Sequence, residues 1–175
     1  ERDYAKAMHW YKQSADQGHS GAMSNVGYLY QKGLGVPKNY PEAAKWYLKA
    51  AEIGGNSVAA RNIAVFYLKG LGVPKDNVKA AKWFLRAARG NDSIAAYNIA
   101  VLYEKGLGIE QNYEQAVYYY KRTTGKYFQA ATDAIKRIEK DLEAMRILQE
   151  QKSRRIDEES RQFNPLHWLT NPLTK

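Results

Sequence analysis

The six residues Gly33-Leu34-Gly35-Val36-Pro37-Lys38 return as Gly70-Leu71-Gly72-Val73-Pro74-Lys75, and a third copy opens as Gly106-Leu107-Gly108-Ile109. The copies lie 37 and 36 residues apart. Aromatic residues keep the same step, since Trp10, Trp46, Trp83 and Tyr119 are separated by 36, 37 and 36 residues. A period of that length marks one supersecondary unit stacked on copies of itself. Such a chain is stabilised by contacts between neighbouring units, not by one central core.

Each period reads as two helices. Tyr4, Ala7, Met8, Tyr11 and Ala15 fall at steps of three and four, which predicts a helix over 3–17 that Gly18 ends. By register it is the second helix of a pair whose first is missing, so the chain is expected to open inside a longer array. In the first complete unit, helix A spans 20–32 and closes at Gly33, a residue that adopts the left-handed conformation at low cost. Leu34 and Val36 are expected to plug the corner. Helix B then spans 40–53, with Pro41 in its first turn, where a missing amide hydrogen does no harm. The second unit places these helices at 57–69 and 77–88, the third at 93–105 and 112–124.

Alanines stand where helices must approach closely: Ala22, Ala59 and Ala95 on helix A, and Ala7, Ala43, Ala80 and Ala116 on helix B. One large aromatic per unit at a fixed register suits the filling of the interfaces. Trp10, Trp46, Trp83 and Tyr119 are therefore expected in the core. After Gly125 the loop does not recur, and Phe128, Ala131, Ile135, Ile138, Leu142 and Met145 form one apolar stripe that fades after Leu148. Three segments follow: a repeat array over 1–126, a capping and projecting helix over 127–162, and a tail over 163–175. The tail holds two Asn-Pro pairs, which forbid a continuous helix, beside Phe163, Leu166, Trp168, Leu169 and Leu173. It either folds back over its own chain or docks on another one, and self-association through the helix or the tail is a further reading.

The net charge of +9 is uneven. Residues 1–126 hold 18 basic and 10 acidic groups, a balance of +8, against 9 and 8 in the remainder. Such a surface favours acidic partners. Nucleic acid or an anionic membrane is the lesser reading, because the lysines are spread over every unit instead of clustered. With no cysteine, disulfides, thiolate metal sites and cysteine nucleophiles are excluded. His9, His19 and His167 share no metal-ligand spacing. The glycine loops lack the Lys-Ser or Lys-Thr of a phosphate loop and end helices where a phosphate site would begin one. No cofactor and no enzyme activity is read from these residues. No apolar run approaches the roughly 20 residues that span a bilayer. The chain opens at Glu1, which leaves room for a removed leader and keeps both cytoplasm and an exported compartment open.

Gly18, Ala22, Val26, Gly27, Tyr30, Gly33, Gly35 and Val36, followed by Ala43, Trp46, Tyr47 and Ala50, resemble the Sel1-like repeat of the tetratricopeptide-like superfamily. The second unit matches again through Ala59, Ile63, Tyr67, Gly70, Gly72, Ala80, Trp83 and Ala87, the third through Ala95, Ile99, Tyr103, Gly106, Gly108, Ala116 and Tyr119. Ala64 and Ala100 depart from the glycine found at Gly27. The resemblance implies an all-α, right-handed solenoid of antiparallel helix hairpins whose concave side, lined by helix A, receives another protein. It also implies an adaptor, commonly of bacterial envelope, secretion or virulence systems, or an immunity protein that neutralises a secreted toxin.

Asn25, Asn62 and Asn98 recur in register on helix A, although asparagine is a poor helix-interior residue. By resemblance this position holds the backbone of a bound peptide, since an amide both donates and accepts. The alternative is that these amides tie adjacent helices together. Ser24, Arg61 and Tyr97 precede them and vary as ligand contacts would, and Tyr28, Val65 and Val101 lie a turn onward. Lys32, Lys69 and Lys105 close the same helices, where a cation favours the negative end of the helix dipole, and they could also draw in an acidic segment. The expected partner-binding face is Ser24, Asn25, Tyr28, Arg61, Asn62, Lys69, Tyr97, Asn98 and Lys105.

Overall fold

A computed structural model describes residues 3–162 of the chain. Among them are eight α-helices, one short 3-10 turn and no strand: α1 Tyr4–Asp16, α2 Ser20–Lys32, α3 Tyr40–Gly54, α4 Ser57–Lys69, α5 Asn77–Arg89, α6 Ser93–Lys105, α7 Tyr113–Lys121, the turn Gly125–Tyr127 and α8 Phe128–Gln162. From α1 to α7 each helix packs chiefly on the helices next to it in sequence, the connectivity of a right-handed α-solenoid. The chain divides after Ile135 into two compact units. The first holds the repeats and the opening turns of α8.

The recurrent loop does three things, each legible in its bonds. Gly33, Gly70 and Gly106 end helix A in the left-handed conformation, their amides donating to the carbonyls of Leu29, Phe66 and Leu102. The amides of Leu34, Leu71 and Leu107 donate to the same three carbonyls, each at 3.0 Å. Further on, the amides of Asn39 and Asp76 donate to the Tyr30 and Tyr67 carbonyls at 2.9 Å, and that of Asn112 to Tyr103 at 3.0 Å. The side chains of these three residues then cap helix B by accepting from the amides of Glu42, Lys79 and Gln115. A cap of this kind contributes about 1 kcal/mol. Accepting the Lys79 amide hydrogen holds the Asp76 carboxyl below its ordinary range.

The second glycine of the loop answers to a different demand. A Cβ on Gly35 would come within 2.5 Å of the Tyr4 backbone, and one on Gly72 or Gly108 would come closer still to Tyr40 and Pro41 or to Asn77. Each loop therefore rests on the first turn of helix B of the preceding unit. That contact sets the stagger between units, and no side chain fits there.

Between the helices, Val26, Ile63 and Ile99 are fully buried, as are Ala43, Ala80 and Ala116 opposite them on helix B. Tyr47, Phe84 and Tyr120 occupy one register of helix B, and their partners on helix A change with them. Tyr47 donates to Gln31 Oε1 at 2.6 Å and Tyr120 to Glu104 Oε2 at 2.6 Å. Where the ring is Phe84, the matching helix A residue is Leu68. A buried hydroxyl is matched by an acceptor and a phenyl ring by an apolar residue, as the cost of unpaired buried polar groups requires. Gly27 faces Tyr47, whose ring a Cβ would meet at 2.9 Å.

The expectation that all four register aromatics fill the core needs correction. Trp83 and Tyr119 are 9% and 6% exposed, but Trp10 is 63% exposed and Trp46 is half-buried, with Lys49 Nζ 5.3 Å above its ring. The reason lies in neighbours. Among the described residues α1 packs mainly on α2, so it has one covered face where inner helices have two, and Trp10 lies off that face.

The end of the array also differs from the expected pattern. α7 stops at Lys121, not 124: the amides of Arg122 and Thr123 donate three residues back, to the Tyr119 and Tyr120 carbonyls at 3.1 and 3.0 Å, and Gly125 turns the chain at φ 67°. The first turns of α8 bury Ala131 and Ala134 but leave Phe128 59% exposed. In the second unit α8 continues with Ile138 buried, while Leu142, Met145 and Leu148 are 38%, 49% and 52% exposed. The apolar stripe, which the sequence carries to Leu148, is thus exposed from Leu142 onward. Arg146 pairs with Glu143 at 2.8 Å along the exposed helix. Phe163, Leu166, Trp168, Leu169 and Leu173, the expected docking tail, lie outside the described residues, as does His167.

Candidate partner-binding face

Helical geometry groups the helix A residues into stripes. Residues three and seven positions apart share a face, so Asn25, Tyr28 and Lys32 align on α2, Asn62, Val65 and Lys69 on α4, and Asn98, Val101 and Lys105 on α6. Because the helices stand in register, these stripes become rows: amides, then apolar side chains, then ammonium groups. Asn25, Tyr28 and the three lysines are exposed, and the others are half-buried. One further row extends the face. Val58 and Ile94 lie four residues before Asn62 and Asn98, and Val58 is 46% exposed. Neither belongs to the face expected from the sequence, although a branched apolar residue four before the amide is a signal that helical spacing supplies.

The asparagines share a register but not a bonding pattern. Asn25 is exposed. Asn62 lies within hydrogen-bonding reach of the Tyr47 phenol and accepts from Arg61 Nη1 at 3.2 Å. Asn98 Nδ2 donates to the Ile94 carbonyl of its own helix at 2.7 Å. The preceding helix B explains the difference. It offers Asn62 the hydroxyl of Tyr47, whereas at the register facing Asn98 it presents Phe84, so that amide turns back on its own backbone. Burial pushes the Tyr47 phenol well above its ordinary range despite the neighbouring Asn62.

Arg61 and Tyr97, in register with Ser24, are turned toward the following unit. Ser24 is buried. Arg61 Nε donates to Asp92 Oδ2 at 2.8 Å, with side-chain exposures of 22% and 8%, and Asp92 Oδ1 in turn caps α6 by accepting from the Ala95 amide at 2.8 Å. Tyr97 stacks on Tyr127, with ring centroids 4.7 Å apart and planes 11° from parallel. The variety at this register therefore follows what the next unit presents: a carboxylate to Arg61, a ring to Tyr97.

The lysine row is the electrostatic feature of the open face. Among the described residues no carboxylate pairs with Lys32, Lys69 or Lys105, and Lys32 Nζ stands 5.9 Å from the centre of the Tyr28 ring. Among the described residues no group of three or more His, Asp or Glu side chains is arranged to hold a metal ion, and no helix is long and apolar enough to cross a membrane.

Comparison with solved structures gives the same architecture. The c5321 protective antigen of uropathogenic Escherichia coli, which displays an SLR fold, is 30% identical with a TM-score of 0.67 over 69% of this chain and 26% of that one. A Sel1 repeat protein from Oxalobacter formigenes is 36% identical with a TM-score of 0.65, over 69% of this chain and 49% of that one. The cysteine rich protein B of Helicobacter pylori, at 23% identity and a TM-score of 0.55, shares the fold. This chain thus spans about a quarter and about half of the first two proteins' lengths. No match is found among curated proteins. The Sel1 repeat family matches at residues 1–19, 20–55, 57–92 and 93–123, in phase with the loops described above. The chain belongs to the Sel1 repeat family, whose repeats generally serve as scaffolds for protein–protein interaction.

Proposed function

We propose that the open face of α2, α4 and α6 binds an acidic segment of a partner protein. The observation that carries this reading is the row of Lys32, Lys69 and Lys105, exposed, in register and without carboxylate partners among the described residues. Beside it lie Tyr28, Val65 and Val101, which offer apolar contact, and then Asn25 and Asn98, whose side-chain oxygens have no bond among the described residues. A segment crossing the helices would place carboxylates on the ammonium row and backbone groups on the amides. Long-range attraction would speed encounter and fix orientation. Arg61, Asn62 and Tyr97 hold the units in line and so shape the face from behind. Similarity to proteins of Escherichia coli and Oxalobacter formigenes favours a bacterial setting.

The test uses a partner recovered from the native host by affinity purification and then prepared pure. Lys69→Glu with Lys105→Glu should weaken its binding by roughly tenfold or more, mainly through slower association that salt no longer modulates. Affinity unchanged in that variant would overturn the reading. So would loss of binding on removing residues 163–175 while the lysine variant binds normally.

A further inference from the structure

The second unit carries a feature its siblings lack. Its helix B, α5, contains Lys79, Lys82, Arg86 and Arg89 and no carboxylate, whereas α1 has Asp16, α3 has Glu42 and Glu52, and α7 has Glu114. In α3, Lys45 is paired with Glu42 at 2.6 Å. The residue in register with Glu42 is Lys79, so Lys82 has no such partner, and Lys79 itself is drawn to Asp76 at 3.5 Å. The Arg86 guanidinium lies over the Trp83 ring, 5.2 Å from its centre, and its Nη2 donates to the Glu52 carbonyl at 3.5 Å, which leaves its remaining N–H groups to donate.

Three of these cations, Lys82, Arg86 and Arg89, line a cavity of about 540 Å³. Its apolar lining includes Val78, Leu85 and Ile109, and its charged lining is Lys82, Arg86 and Arg89 against one carboxylate, Glu52. Val78 is 66% exposed, at a register where α3 has Pro41 and α7 has Glu114. Apolar area left in water beside three exposed cations fits a ligand that supplies both an apolar group and negative charge.

We infer that this groove is a second interaction surface, sharing no residue with the helix A face, which receives a short acidic protein segment bearing one large apolar side chain. That side chain seats on Val78, Leu85 and Ile109, and flanking carboxylates reach Lys82, Arg86 and Arg89. Partly desolvated walls focus the field of the cations on the groove. A protein segment fits better than nucleic acid, because a continuous phosphate backbone would run on over α3 and α7, where Glu42, Glu52 and Glu114 interrupt the positive charge.

The probe is a capped, fluorescein-labelled pentapeptide with one Phe between two pairs of glutamates, titrated against the full chain by anisotropy. Saturable binding is expected, roughly tenfold or more tighter than that of the same peptide with glutamines, and weakening with salt. Arg86→Glu with Arg89→Glu, and separately Val78→Asp, should each weaken it by roughly tenfold while the melting curve holds, since all three side chains are exposed. Lys69→Glu with Lys105→Glu should leave it unchanged. The inference is overturned if no saturable binding is seen, if the glutamine peptide binds equally, if the groove variants bind like the native chain, or if an oligothymidine of equal length displaces the peptide at lower concentration.

Discussion

Ser24, Arg61 and Tyr97 stand one residue before Asn25, Asn62 and Asn98, yet the two rows meet different surroundings. A step of one residue turns a helix by about 100°. That rotation carries the first row against the next unit, where Arg61 meets Asp92 and Tyr97 meets Tyr127, and leaves the second row, the lysines with it, toward the open face. Variation from repeat to repeat is therefore no mark of a ligand contact in itself. In a stacked array a side chain also varies because its neighbour does. Whether a position is covered by a neighbouring unit or open decides what a substitution costs.

The sharpest contrast lies within the aromatic register. Trp83→Ala should cost about 3–5 kcal/mol, because it empties a covered site. Trp10→Ala, in the same register but 63% exposed, should cost less than about 1 kcal/mol. Urea unfolding of the two variants measures both, and equal losses would break the distinction between covered and open.

The loops allow the same test on the backbone. Gly108 has φ 71° and rests on Asn77, while Gly55 has φ 59° and nothing within 4 Å of its missing Cβ. Alanine at Gly55 should cost roughly 1–2 kcal/mol for its conformation alone. Gly108→Ala adds an overlap with backbone that cannot rotate away, so its loss should exceed about 3 kcal/mol. Similar melting shifts for the pair would mean that the loop does not bear on the preceding unit.

Much of this was legible in the sequence. The period, the hairpins and the loop glycines follow from residues whose local chemistry leaves little choice, and the helix bounds agree within a residue or two until α7. What escaped was pairing between units. Nothing near Arg61 in the chain announces Asp92, which lies 31 residues on, and although the register shows that the first helix of the opening pair is missing, nothing in it says that Trp10 lies on the face left open. Both are settled by which unit comes next in space. The amide row shows the same limit, since Asn98 differs from Asn62 because of Phe84 on a different helix.

Asp92 offers a smaller, more specific test. It caps α6 and also holds Arg61, whereas the side chain of Asn112 caps α7. Asp92→Ala should cost about 2 kcal/mol, of which about 1 is the cap that Asn112→Ala would also lose. In a double-mutant cycle Arg61 and Asp92 should couple by about 1 kcal/mol. A coupling near zero would release Arg61 from its structural role and return it to the candidate binding face.

Tyr47→Phe should have a small effect, and its pH dependence makes it informative. At neutral pH it removes the bond to Gln31, at a cost of about 1 kcal/mol. Burial raises the Tyr47 phenol in the folded chain, so the folded state keeps its proton where the unfolded state releases it, above about pH 10. Over that range the unfolded state binds fewer protons, and the native chain loses stability as pH rises. Phenylalanine has no proton to lose, so this component is missing from the variant. Burial also raises Tyr103, but that residue is present in both chains and cancels in the difference. The stability gap between native chain and variant should therefore close as pH rises through 10. A constant gap would mean that the phenol ionises as readily folded as unfolded, and that the covered register of helix B is wetter than its burial implies.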